Sequence, residues 1–461
     1  MRVFVAGATG VIGHRAVARL VGAGHQVTGV SRSPEKDTVL ESLGARPVRV
    51  DLFDLAAVSV AVVGHDAVVN VATKIPPVGD MRRAGAWDEN ERIRREASTH
   101  LVDAAIAAGA SVFVQESLAF LYGDHGDAWI DASATPWGAS RFNGAVEAAE
   151  VNVDRFRAAG GRGVVLRFGR FYAADSDQAE SALAAARRGL LLDVGDPQSF
   201  TPMIDADDAA AAVVAALAAP SGTYDIVDDT PLTRAEQCDA LAAAVGRRRL
   251  WRAPKRMRPR QADYLAASQR VSNAAFRGAT GWRPSSPDLR VGYRKLTREL
   301  RMEPALPGRV RLMLWVLAFT SSAVGVQAEF FPRSFYDDFP LGRGWVAMDG
   351  RYNEHLIRDV GALNLALLVL TIGAMVVATR AITRIAAGAW FVYSAPHLVY
   401  HLRHLTMLMP GPDKVGIVVS LSIPVLASIV MLFDRPRVVP LTIDGRDRDT
   451  ARNLTQVSVR R

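Results

Sequence analysis

The chain has 461 residues, 49% of them hydrophobic, a formal net charge of +8, one cysteine and a mean hydropathy of +0.10. That length exceeds one ordinary domain and predicts two or three. A single cysteine, Cys238, excludes an intramolecular disulfide and any cysteine-based metal cluster. The excess charge is mostly arginine without a basic-aromatic module, so nucleic acid is not an expected partner.

Val3-Phe4-Val5-Ala6 reads as a strand running into Gly7-Ala8-Thr9-Gly10-Val11-Ile12-Gly13, after which Ala16, Val17, Leu20 and Val21 mark a helix. A strand, a Gly-x-x-Gly-x-x-Gly turn and a helix in that order make a dinucleotide-binding opening. Gly7 allows the turn, Gly10 clears the approach of a pyrophosphate, and Gly13 lets the helix pack against the sheet. Amides at the helix start, with Thr9, Val11 and Ile12, face the phosphates. Because the chain opens directly on a strand, no cleavable signal peptide is expected.

A second strand, Gln26–Val30, ends in Ser31-Arg32-Ser33. An arginine there can pair with a 2′-phosphate, which favours NADP over NAD. The third strand delivers Asp51-Leu52 towards the adenine, and the fourth delivers Ala72-Thr73 towards the nicotinamide ribose. A helix from about Trp87 to Ala108 precedes a fifth strand, Ser111–Val114. This alternation predicts an α/β, Rossmann-like, doubly wound parallel sheet, with a small substrate-side region at 170–300.

Further pieces are Phe113-Val114-Gln115-Glu116-Ser117, Leu121-Tyr122-Gly123-Asp124, Leu166-Arg167-Phe168-Gly169-Arg170-Phe171-Tyr172, Gly222–Asp229 and Gly281-Trp282-Arg283-Pro284. With the glycine turn and Asp51-Leu52, they make residues 1 to about 300 resemble extended or atypical short-chain dehydrogenase/reductases of the NAD-dependent epimerase/dehydratase superfamily. The resemblance implies NAD(P) as cofactor, Phe168 beside it, and Ser117 at the family's Ser/Thr position. It also implies a Tyr-x-x-x-Lys pair whose phenol relays a proton while the ammonium lowers its pKa. That pair is absent: Phe142 stands at the Tyr position and Val146 at the Lys position, and residues 126–165 contain neither tyrosine nor lysine. Tyr122 with Ser117 is the nearest substitute for catalysis. Asp207-Asp208 is expected to cap an alanine-rich helix.

A basic stretch, Arg247–Arg260 with Trp251 and Met257 interleaved, suits anionic lipid headgroups. Four uncharged apolar runs follow, Leu312–Ala328, Val360–Ala378, Ile385–Leu402 and Val415–Phe433, each near the ~20 residues that span a bilayer. They predict an all-α four-helix transmembrane domain at 301–435 and a basic tail at 436–461. The Lys/Arg bias places both termini and the nucleotide domain on the cytoplasmic side of the cell membrane. His397, His401 and His404 share one helix face, and His355 is expected at the same level. They are a speculative metal or proton-relay cluster, set against plain interfacial anchoring. The helical module is faintly similar to DoxX-like membrane proteins. The whole reads as a membrane-anchored oxidoreductase acting on a small or lipid-like substrate. The alternative is a non-catalytic NAD(P)-binding module that senses redox state or stabilises a membrane complex.

Overall fold

The computed structural model describes residues 1–76, 80, 83–134, 143–191, 195–252, 266–301, 305–405 and 411–434. It divides into two compact units, Met1–Ala305 and Leu306–Arg461.

The first unit is built on seven strands: β1 (Arg2–Ala6), β2 (Gln26–Ser31), β3 (Arg46–Arg49), β4 (Ala67–Asn70), β5 (Val112–Leu118), β6 (Arg162–Phe168) and β7 (Gly222–Ile226). All pair in parallel, in the spatial order β7-β6-β5-β4-β1-β2-β3. The order reverses at β1, whose Val3 sits opposite Val27 on one side and Ala67 on the other. Ligands of such sheets bind at that reversal, beyond the strands' C-terminal ends. The sequence of β1 explains its central place. Val3 and Val5 fill one core layer with Val17, Leu20 and Ile204, while Phe4 and Ala6 fill the other with Val68, Leu101 and Phe156. Strand side chains alternate between faces, so a run that is apolar at every position must be covered on both.

Helix α1 (Val11–Gly22) crosses from β1 to β2. The helix after β4 covers Asp88–Ala107 and widens into a π-helical turn at Ile93–Ala97, before α2 (Ser98–Ala107). Helix α3 (Asn143–Ala158) follows β5, and α4 (Ala206–Ala216) lies on the α1 side. The cap of α4 differs from expectation. Asp205 accepts the Asp207 amide at 2.8 Å, whereas Asp207 pairs with Arg15 and Lys295, and Asp208 accepts the Ser285 and Ser286 amides. The helix begins two residues earlier than a cap at Asp207 would set, which frees the paired acids for tertiary contacts. A substrate-side core of Tyr172, Leu183, Leu241, Leu250, Leu289 and Leu296 completes the unit.

The second unit has four long helices: α5 (Gly308–Phe330), α6 (Glu354–Val377), α7 (Arg380–Arg403) and α8 (Gly411–Leu432). They pack in a closed ring, α5 on α6, α6 on α7, α7 on α8 and α8 on α5. Leu314, Leu317, Leu367, Trp390 and Ala427 form its centre. Small residues set the closest approach, since a Cβ on Gly361 would lie 2.5 Å from the Glu329 amide nitrogen. Among the described residues three helices, α5, α6 and α8, are long and apolar enough to cross a membrane. Helix α7 has the length, but Arg380, Arg384, His397, His401 and Arg403 lower its apolar content, so the sequence's four spans reduce to three by this measure. Residues 253–265, which hold most of the basic stretch, and the tail from 435 lie outside the described residues.

Candidate dinucleotide site

Beyond Ala6 the chain turns at Gly7, with φ of +81°. A Cβ there would lie 2.6 Å from the Val71–Ala72 backbone, and one on Gly13 would lie 1.9 Å from the Gly7 carbonyl oxygen. Both positions therefore admit only glycine. Gly10 donates its amide to the Gly7 carbonyl at 3.0 Å, and a Cβ on it would touch nothing nearer than that oxygen at 3.4 Å. Its outer side is open. Gly10 is also the N-cap of α1, whose first turn carries no acidic residue and no side-chain cap. The orphan amides of that turn, with the positive helix end, receive no acidic side chain from the turn or its cap. A diphosphate fits this cradle of Gly7, Thr9, Gly10, Val11, Ile12 and Gly13.

The other sequence-predicted contacts follow the strand ends. Arg32 is 72% exposed and 3.9 Å from Glu89, which also takes Lys74 Nζ at 3.1 Å. Asp51 is exposed and accepts the Phe53 amide at 3.0 Å, and Leu52 is half-buried beside it. Ala72 is buried, with its amide donating to Asn70 Oδ1 at 3.2 Å, while Thr73 is exposed. Phe168 is fully buried against Phe171, within the sheet's core.

The structure places Ser117 and Tyr122 in one buried polar network. Ser117, Arg167 and Asp225 are register partners on β5, β6 and β7, forming a row across three strands. Ser117 Oγ donates to Glu150 Oε1 on α3 at 2.5 Å. Arg167 grips the same carboxylate through Nε at 2.9 Å and Nη2 at 2.7 Å, and its Nη1 donates to the Tyr122 hydroxyl at 3.0 Å. That hydroxyl donates to the Asp225 carboxylate at 2.9 Å. Ser117 is 0% exposed and Tyr122 1%. Burial pushes Asp225 up to about 7 against the pull of Tyr122 and Arg167, and burial with the facing Asp225 raises Tyr122. A second buried pair stands on the π-helical turn: Arg94 Nη2 donates to Glu116 Oε1 at 2.8 Å, with both side chains 3% exposed. Burial raises Glu116 against the opposing pull of Arg94.

Sequence reading missed Glu150, Arg167, Asp225, Arg94 and Glu116. The available signal was a charge inside an otherwise apolar strand, as in Val164-Val165-Leu166-Arg167-Phe168. Val146, at the expected Lys position, is fully buried against Leu121, and Phe142 lies outside the described residues.

In the helical unit, His397 and His401 stand 4.8 Å apart between ring centroids, and His404 stacks on Tyr400 at 4.2 Å. His355 is 88% exposed, 3.6 Å from Asp359. Among the described residues, no group of three or more His, Cys, Asp or Glu side chains converges as a metal site.

The sheet order and the glycine cradle define a dinucleotide-binding domain of the short-chain dehydrogenase type. The profile of the NAD dependent epimerase/dehydratase family matches residues 3–227. A 3-diazoavenalumate denitrifying reductase from a Streptomyces species is 32% identical over 315 residues, 63% of this chain and 99% of that protein. The chain belongs to the NAD-dependent epimerase/dehydratase family. Among solved structures, a human epimerase family protein with NADPH superposes with a TM-score of 0.53 at 26% identity, covering 65% of this chain and all of that one. UDP-glucose 4-epimerase from Thermus thermophilus with NAD gives 0.54 at 23% identity, covering 66% and 99%. Membership of an NAD-dependent family supports NAD(P) as the dinucleotide. No DoxX-like relationship appears among these likenesses, so that resemblance carries nothing further.

Proposed function

We propose that the protein is a membrane-anchored NAD(P)H-dependent reductase whose acceptor takes hydride without a protein phenol to protonate it. The observation that carries this is the apolar Val146, buried where the family's lysine belongs. Carbonyl reduction needs a proton at oxygen as hydride arrives at carbon, and that proton is the task of the Tyr/Lys pair. A strongly electrophilic acceptor escapes the need. For an aryl diazonium, the hydride pair becomes the new C–H bond while dinitrogen leaves with the C–N pair, so the balance closes with no proton. The Streptomyces relative's name couples reductase activity to a diazo compound. When bound, the dinucleotide supplies the hydride. The chain's own residues hold its diphosphate at Gly7–Gly13 and its ribose ends near Arg32 and Ala72-Thr73, with Arg32 favouring NADP. In this reading Ser117 and Tyr122 are positioning residues, because neither reaches the surface.

An apolar acceptor suits the substrate side, where Pro202, Met203, Val271 and Leu289 line a shallow depression with Thr201 and Asp228 among them. Membrane anchoring draws support from the helical unit's outer surface. Phe319 is 77% exposed, Val369 71%, Val392 73% and Val415 64%. Large apolar side chains turned outward on every helix of a ring match a hydrocarbon surround.

The test is NADPH oxidation by the full chain with an aryl diazonium carboxylate, a quinone and UDP-glucose as separate acceptors. Turnover with the diazonium and not with the sugar nucleotide is expected, unchanged by the Val146→Ala substitution. Tight NADPH binding with no turnover on any acceptor would instead leave the non-catalytic module.

A further inference from the structure

The helix Leu289–Glu299 buries Leu289 and Leu296 against Leu241 and Ala242 of the helix Arg234–Ala244, and turns its charged side outward. Two of its cations are engaged within the chain. Arg290 pairs with Glu236 and Asp288, and Lys295 with Asp205, Asp207 and Glu299. Arg294 and Arg298, one turn apart on the exposed side, and Arg301, just past the helix, have no acidic partner among the described residues. Like charges spaced i, i+4 weaken a helix, so this stripe does nothing for the fold.

Two further cations join it. The Ala305 amide donates to the Val245 carbonyl at 2.8 Å, which ties the chain leaving that stripe to the end of the helix Arg234–Ala244. Arg301 stands just before this bond in the chain. Arg248 and Arg249 stand just after it, exposed and also without an acidic partner among the described residues. Trp251 follows, 53% exposed, on a short strand paired with Leu190, itself 44% exposed. Five guanidinium groups beside an exposed indole make a surface both cationic and amphipathic.

We infer that this face docks on the anionic headgroup surface of a bilayer. Tryptophan settles at the headgroup level, and arginine is drawn to anionic lipid within a Debye length, about 8 Å. The course of the chain favours lipid over other polyanions, because the apolar helix α5 begins at Gly308, three residues beyond Ala305. A bilayer that receives α5 has its headgroups within the reach of that link, about 10 Å, of this face. The docking rests on the proposed membrane anchoring and is independent of the reductase chemistry.

The experiment places the full chain in nanodiscs of phosphatidylglycerol or of phosphatidylcholine and treats it with phenylglyoxal, an arginine reagent, with modification at each residue read by mass spectrometry. Arg248, Arg249, Arg294, Arg298 and Arg301 are expected to react about threefold or more slowly in phosphatidylglycerol, a protection that high salt removes. Arg155, exposed on α3 beside Asp103, should react alike in both lipids. R294E/R298E, which leaves the buried side of its helix untouched, should return Arg248 and Arg249 to their phosphatidylcholine rates. Equal rates in the two lipids for wild type, or protection of Arg248 and Arg249 that survives R294E/R298E, overturns the docking. An oligonucleotide that protected the same arginines equally in phosphatidylcholine discs would assign the face to nucleic acid and overturn the lipid. Extraction of the chain from cell membranes by alkaline carbonate would refute the anchoring and the docking together, a result read separately from headgroup choice.

Discussion

Arg167 holds Glu150 by two parallel hydrogen bonds, with neither side chain more than 13% exposed. The strand next to one edge of the sheet and a helix packed over it are thereby fastened by a buried charge pair. Such a pair contributes little over an apolar substitute, yet removing one partner strands the other in low dielectric. Glu150→Ala is expected to cost about 3–5 kcal/mol of unfolding free energy. Glu150→Leu with Arg167→Met should cost less than either single change. Chemical denaturation of the full chain in detergent, followed by tryptophan fluorescence, measures both.

The row that continues from Arg167 to Asp225 predicts a pH effect. The native carboxyl of Asp225 titrates near 7, above the ordinary value of 3.8. Between about pH 4 and 7 the folded state therefore holds a proton that the unfolded state has lost. Stability from this group is complete below pH 4 and is lost as pH rises through 7. Asp225→Asn should flatten the fall in melting temperature between pH 5 and 8. A slope unchanged in the variant would mean that another group titrates.

At the phosphate cradle, Gly10→Glu sets a carboxylate where the diphosphate rests while touching little of the protein itself. NADPH affinity should fall by at least tenfold, with the fold intact by circular dichroism. Gly13→Ala differs in kind, because its methyl would invade the Gly7 carbonyl. That variant should lose the fold together with the affinity.

In the proposed reading, cofactor choice is carried by the exposed guanidinium of Arg32 just past β2. Arg32→Gln should weaken NADPH by about tenfold, the worth of one charge-assisted contact, and leave NADH nearly unchanged. Fluorescence titration with the two dinucleotides gives the ratio directly. Equal losses for both would assign the 2′-phosphate to another side chain.

The sheet was legible because backbone geometry leaves few choices. Gly7 and Gly13 are glycine for want of room, and Val3 to Ala6 must lie between two covered faces. Other features turn on partners distant in sequence. Arg167 reads as a stray charge until Glu150, 17 residues earlier, is seen beneath it. Asp205, and not the Asp207-Asp208 pair, caps its helix; Lys295 bonds both Asp205 and Asp207, and only the arrival of Arg15 at Asp207 separates the two. Ser117 stands at the family's Ser/Thr position with Tyr122 near it, but exposure is a property of the packed sheet, and both are buried. The histidines of α7 share a helical face as their spacing requires, and among the described residues no group of three metal donors forms around them.

The space that a Gly7 side chain would need is filled by backbone from Val71 and Ala72, more than sixty residues downstream. A nascent chain holding only the first strand, helix and second strand thus carries the whole glycine signature and still has no floor beneath it. That floor arrives when Ala67–Asn70 zips against Val3–Ala6 in correct register. Dinucleotide capture during refolding is consequently a clock for that one long-range zipping event, and it should lag behind the appearance of helical signal.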